Sequence, residues 1–266
     1  MSSLKTYAST ALAMILRRTP FSVLHVLEDK VQFHLGKGSG ADSTSVEAQS
    51  IAYFVKELKI EKVFALDVGG NFGNWTAEIK REIPLARIVI FEPSKEAFEH
   101  LRMRFDMLDE VTCVNIALGR ENKESTLFAD KSASGLASLT KRRVDHFGID
   151  FSFQEKVTIS TLDSWLLNSH NSTAPNILKM DVEGHEMDVL IGATEAIEKL
   201  EIIQFEFGGS NIDTRTYFQD FWYFFKEKGF ELHRLTPRGP ILIESYSEND
   251  EVFRPTNYIA TRNRQQ

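Results

Sequence analysis

The chain has 266 residues, of which 42% are hydrophobic, and 31 basic against 38 acidic residues give it a net charge of −7. That size and balance support a buried core and exclude disorder and a collagen, while a single cysteine, Cys113, leaves no internal disulfide and no cysteine-cluster zinc site. A net-acidic chain also argues against a nucleic-acid partner, which calls for a basic stripe.

Leu4, Ala8, Ala11, Leu12, Ile15 and Leu16 share one helical face, so the N-terminus reads as an amphipathic helix. Residues 1–27 hold no Asp or Glu and carry Lys5, Arg17 and Arg18. Three readings fit that pattern: a helix docked on the body, an organellar transit peptide, or weak contact with a membrane surface. No apolar run reaches the ~20 residues of a membrane-spanning helix, and a cytoplasmic location is expected. Val23–Leu27 and Val31–Leu35 read as the strands of a short hairpin, and Gly36 to Ser43 as a connection. Residues 1–44 are thus expected to form an appendage to a domain of residues 45–266.

From residue 45 helices and strands alternate. A helix over Val46 to Leu58 precedes the apolar strand Val63–Leu66, which ends at Asp67. A helix over 74–82, the strand Arg87–Phe91 and a helix from Ser94 to about Phe105 follow, then a strand over Val111 to Ile116. Further strands are expected at Ile177–Met180 and Ile202–Phe207, with helices over 185–198 and 214–228. Phe230–Leu235, Pro240–Ile243 and Asn257–Thr261 supply the terminal strands. The pattern predicts an α/β fold with an open, mostly parallel sheet flanked by helices.

Asp67-Val68-Gly69-Gly70-Asn71-Phe72-Gly73 closes the first of these strands. Its glycine spacing is neither G-x-G-x-x-G nor a nucleoside triphosphate loop, and Asp67 would repel a pyrophosphate. An acidic residue there suits a cationic ligand instead. Glu92 closes the next strand, where a carboxylate can accept both hydroxyls of a ribose. A nucleoside that carries positive charge rather than phosphate is S-adenosylmethionine.

Three further segments carry a family resemblance: Val114-Asn115-Ile116-Ala117-Leu118-Gly119, Val157 to Asp163, and Ile177-Leu178-Lys179-Met180-Asp181-Val182-Glu183-Gly184-His185-Glu186 through Ala193. With them the chain resembles the FkbM family of S-adenosylmethionine-dependent methyltransferases over roughly residues 45–262, most specifically in Asp-x-Glu-Gly. Gly70 departs from the alanine more often found in the family; a smaller residue there should not abolish binding. The resemblance implies a Rossmann-like fold of seven strands with an antiparallel final pair, and O-methylation of a hydroxyl on a glycan, glycolipid or similar small molecule. It places Asp67, Gly69, Gly70, Asn71 and Gly73 around the methionine part and Glu92 on the ribose. Asn115 and Ala117 flank the adenine, and Asp181 borders both cofactor and acceptor.

A hydroxyl is a weak nucleophile, so its proton needs a base or a metal. Asp181, Glu183 and His185 cluster where a strand meets a helix, and Glu183 or His185 can be the base. Asp181 with Glu206 of the next strand could instead hold a divalent ion such as Mg²⁺, though two oxygen ligands are few. The carboxylates could also simply favour a helix N-terminus. An alternative to an enzyme is a non-catalytic binding module that keeps this fold. Arg142 and Arg143 could meet an anionic acceptor, Ser134, Gly135 and Ser138 could border the cofactor, and Phe147, Phe151 and Phe153 could shape an acceptor pocket. Oligomeric state is not legible.

Overall fold

The computed structural model describes residues 13–38, 43–169 and 173–263. Its centre is β1 (Phe64–Val68), a strand in which every residue is buried, as expected of a strand covered on both faces. β1 pairs in parallel with β2 (Arg87–Phe91) on one side and β7 (Ile177–Met180) on the other. β3 (Val111–Val114) extends the sheet beyond β2, and β8 (Ile202–Phe207) extends it beyond β7, both parallel. Then the direction reverses. β11 (Thr256–Arg262) lies antiparallel between β8 and β9 (Phe230–Thr236), and β10 (Gly239–Leu242) forms the edge. The full order is β10-β9-β11-β8-β7-β1-β2-β3. The family resemblance implied seven strands; the eighth is β10, folded back on β9.

Helices cover both faces. On one face lie α2 (Thr44–Glu57), α3 (Asn74–Glu82) and α4 (Lys95–Phe105), which bury Ile51, Trp75, Ile79 and Leu101 against β1 and β2. On the other, α8 (Phe218–Glu227) presents Phe218, Phe221 and Phe225 at helical spacing. There the Phe205 ring stacks on Phe221 at 4.7 Å and on Tyr258 at 5.3 Å. Most of the phenylalanine content is therefore core.

Several expectations need correction. Residues 23–35 are not a hairpin: Phe21–His34 is one helix, α1. Glu28-Asp29-Lys30 tolerates helix as well as turn, and Val23, Leu27 and Val31 recur every four residues. The region 185–198 divides into α6 (Glu186–Ile191) and a 3-10 turn at Ala196–Lys199. The helix expected over 214–228 starts only at Phe218, as α8; Thr214 ends a separate short helix, α7 (Ser210–Thr214), and Arg215 at φ +57° breaks the chain between them. A second sheet, β4 (Ala117–Leu118), β6 (Phe153–Ser160) and β5 (Lys123–Ala129), precedes α5 (Leu162–Asn168). The N-terminal amphipathic face lies mostly outside the described residues, as do residues 39–42 of the expected connection.

Candidate active site

The site begins at the turn after β1. Gly69 has φ +75°, and a Cβ there would collide with the Asp181 carbonyl at the end of β7. Only glycine allows the two strand ends to approach this closely. The Gly69 and Gly70 N–H groups donate to the Phe91 carbonyl at 3.0 and 3.1 Å. Glu92 then fixes the geometry from β2: its carboxylate accepts the Asn71 N–H at 2.7 Å and the Ser94 N–H at 2.8 Å. Burial raises its carboxyl to about 7, against those two donors.

Asp67 does not face the cavity, contrary to expectation. It is fully buried, accepts the Thr76 hydroxyl at 2.8 Å, and pairs with Lys179 of β7 at 3.0 Å. Lys179 also donates to the Gly69 carbonyl at 3.1 Å. Burial opposes its charge, but Asp67 and then Asp181 outweigh that, and the ammonium is held above its ordinary range. A carboxylate neutralised in this way ties β1 to β7 and shapes the glycine turn. The freer acid is Asp181, whose side chain is 47% exposed.

Beside this turn is a cavity of about 240 Å³, lined by Gly69, Asn71, Glu92, Asp181 and Glu183 and walled by Phe91, Ile116, Ala117, Leu118 and Leu127. A smaller cavity of about 170 Å³ adjoins it, sharing Gly69, Asn71 and Asp181 and adding Gly70, Glu47 and Lys179. Ser134 and Gly135 close the first cavity from the loop after β5. A Cβ on Gly135 would meet nothing within 4 Å, so the wall opens there onto free space. Gly73 stays behind the turn, with Leu101 and Phe105 where its Cβ would be. Asn115 is not in the lining either; its amide donates to the Glu92 and Pro93 carbonyls at 2.8 and 3.0 Å. It acts by fixing the end of β2, while Ala117 supplies the wall.

Glu183 lies at the cavity's other end, in the left-handed region at φ +52°. Its carboxylate accepts the Arg142 guanidinium at 2.6 Å, and its carbonyl accepts the Ser138 hydroxyl at 2.8 Å. Burial first, and the Asp181 charge second, raise the Glu183 carboxyl to about 7, against Arg142. His185 does not line the cavity. Its Nδ1 pairs with Asp188 at 2.7 Å and its Nε2 with the Thr140 hydroxyl at 3.0 Å, leaving neither ring nitrogen for an acceptor. Glu186 accepts the Val182 and Gly184 N–H groups and so closes the turn before α6. Glu206 is pushed upward by burial and by Asp181 and Glu183. Among the described residues no group of three or more His, Cys, Asp or Glu is arranged to hold a metal.

Beyond Arg142 the surface forms a groove of about 570 Å³, where Arg142 and Arg143 meet His146, Phe147, Ile212 and Phe253. Of the loop phenylalanines only Phe147 belongs to it. Phe151 is buried and Phe153 opens β6.

A family model described as the methyltransferase FkbM domain matches residues 67–232. The chain belongs to the FkbM methyltransferase family. "Methyltransferase 1" of the fungus Beauveria bassiana is 29% identical over 166 residues, spanning 53% of this chain and 67% of that protein. The hexuronic acid methyltransferase AglP of Haloferax volcanii is 27% identical over 138 residues and 52% of each chain. The FkbM chain here thus spans about two thirds of one relative and half of the other. Among solved structures, a methyltransferase of Streptococcus mutans in complex with SAH aligns over 80% of this chain and 98% of its own, with a TM-score of 0.44 and 11% identity. An O-methyltransferase of Klebsiella pneumoniae aligns over 82% of this chain and 80% of its own, with a TM-score of 0.45 and 10% identity.

The sequence reading missed Lys179, Glu47, Thr140 and Leu127. Only Lys179 left a visible signal: a charge inside the apolar strand Ile177–Met180 demands a buried partner. The others reach the site by long-range pairing.

Proposed function

We propose that this FkbM-family protein transfers a methyl group from S-adenosylmethionine to a hydroxyl of a sugar-type acceptor, with Glu183 as general base. The observation that carries this reading is the position of Glu183. It lines the cavity beside the glycine turn and holds Arg142, which lines the groove beyond. The cavity suits the cofactor chemically. Its apolar walls at Ile116, Ala117, Leu118 and Leu127 match a flat base, Glu92 can accept ribose hydroxyls, and Asp181 offers the freer negative charge. Bound there, the cofactor supplies an electrophilic methyl group.

The chain's own residues do the rest. A hydroxyl entering from the groove meets the Glu183 carboxylate, which takes its proton. A base whose carboxyl sits at about 7 is matched to neutral pH. Arg142 keeps that carboxylate oriented, and Phe147 and Phe253 offer apolar faces on which a sugar ring can rest. The name of the archaeal relative supports a sugar acceptor.

Isothermal calorimetry with S-adenosylmethionine tests the cofactor part. The wild type should bind, and Glu92→Ala and Asp181→Ala should each weaken binding by about tenfold or more, as loss of a charged hydrogen-bond partner does. Binding unchanged in both variants would refute the assigned cavity. Mass spectrometry of a panel of sugars and uronic acids incubated with enzyme and cofactor should show the added methyl.

A further inference from the structure

We infer that the N-terminal arm, residues 13–35, rests on an anionic lipid surface and holds the acceptor groove against it. α1 is a helix of 14 residues with none buried. Phe21 is 80% exposed, and Val23, Leu27, Val31 and Leu35 are exposed at four-residue spacing, which sets them in one stripe. Ile15, just before it, is 63% exposed. An apolar surface of this extent does not face water without a partner.

The stripe's direction and charge identify that partner. Asp29 pairs with Arg254 at 2.9 Å, so that side of α1 faces the body. On a helix of about 3.6 residues per turn the stripe lies roughly opposite Asp29 and points outward. Arg17 and Arg18 are exposed between Ile15 and Phe21. Residues 13–35 hold three basic and two acidic residues, a net charge of +1 on a chain of −7. Both acids are engaged: Asp29 with Arg254, and Glu28 with Gln32 at 3.1 Å and with His25 at 3.7 Å. Arginines that flank an apolar stripe match anionic headgroups above acyl chains.

The arm is also joined to the body at its C-terminal end. Arg234 donates to the Leu35 carbonyl at 2.7 Å, and Lys37 donates to the Asn249 carbonyl at 2.6 Å. Thr256 pairs with Phe207 at the carboxyl end of β8, so the segment just before it lies at the same end of the sheet as the site. That one segment supplies Phe253 to the groove and Arg254 to Asp29. An arm seated on lipid would therefore bring the groove to a lipid-carried sugar, a consequence that rests on the function proposed above.

Co-sedimentation of the full chain with phosphatidylcholine vesicles, with and without phosphatidylglycerol, tests the inference. Binding should require phosphatidylglycerol and weaken with salt. Arg17→Gln and Arg18→Gln should each lower affinity by about fivefold, the equivalent of about 1 kcal/mol per basic residue at a charged surface. The combination Phe21→Ser, Leu27→Ser and Val31→Ser should abolish binding while calorimetric cofactor binding persists. The inference fails if the wild type ignores phosphatidylglycerol vesicles, or if these variants bind as well as it does. It also fails if the stripe instead pairs two copies, seen as a dimer that the triple substitution disperses without any vesicle binding. Vesicle binding with no cofactor binding would instead count against the proposed function and leave the arm's role standing.

Discussion

Glu183 carries the features of a residue under functional constraint: a left-handed backbone at φ +52°, a half-buried carboxylate and a cationic partner. Its carboxyl at about 7 leaves it protonated in mild acid, so turnover should rise with pH and level off above about 7. Glu183→Gln keeps the shape and an acceptor for Arg142 but cannot take a proton; kcat should fall by about a hundredfold or more, and the acid limb should vanish. His185→Asn should leave that limb in place, because His185 works through Thr140 and Asp188. A pH–rate profile of the three proteins decides it, and an unchanged limb in Glu183→Gln would assign the base elsewhere. The sequence placed Glu183 and His185 side by side without choosing between them. The choice depends on Arg142 and Thr140, about forty residues upstream, and no local pattern contains that.

At the scale of elements, the pairing of β1 with β7 depends on one buried ion pair. Asp67 and Lys179 face each other across neighbouring strands, and the same ammonium holds the Gly69 carbonyl. Lys179→Met fills a similar volume but strands the Asp67 carboxylate in the core, which should cost about 3–5 kcal/mol. Asp67→Asn added to Lys179→Met should recover part of that loss, because it removes the uncompensated charge. Chemical denaturation of the four proteins measures the coupling; additive effects would show that the pair does not act as a unit. The elements legible in the sequence were those whose apolar pattern follows burial: continuous runs in β1, β2 and β8, and the helical stripe of α8. α1 was misread because Glu28-Asp29-Lys30 fits a turn as well as a helix, and the four-residue apolar spacing that runs across it marks no buried face. β5 and β6 were missed because their register, Lys123 opposite Ile159 through Ala129 opposite Phe153, is fixed by partners about thirty residues away.

At the scale of the whole molecule, the carboxyl end of the sheet gathers more acids than cations. Burial raises Glu47, Glu92 and Glu183 to about 7 and Glu186 to about 8. Against them stand Lys179 and Arg142. Each of these acids binds a proton more readily folded than unfolded, where a glutamate titrates near 4.5. Their contribution to stability is therefore complete below about pH 4.5 and is lost as pH rises through about 7 to 8. These acids should accordingly lower the melting temperature between about pH 5 and about pH 8, against the opposite slope of His233, whose burial holds its imidazole below the ordinary value. Glu186 is the cleanest probe, since it lines neither cavity and one of its oxygens already accepts the Val182 and Gly184 N–H groups. Glu186→Gln can keep those bonds while removing a titrating group, so its melting temperature should fall less over the same range. Parallel slopes for wild type and variant would show that Glu186 does not contribute. Saturating S-adenosylmethionine should raise both curves by mass action.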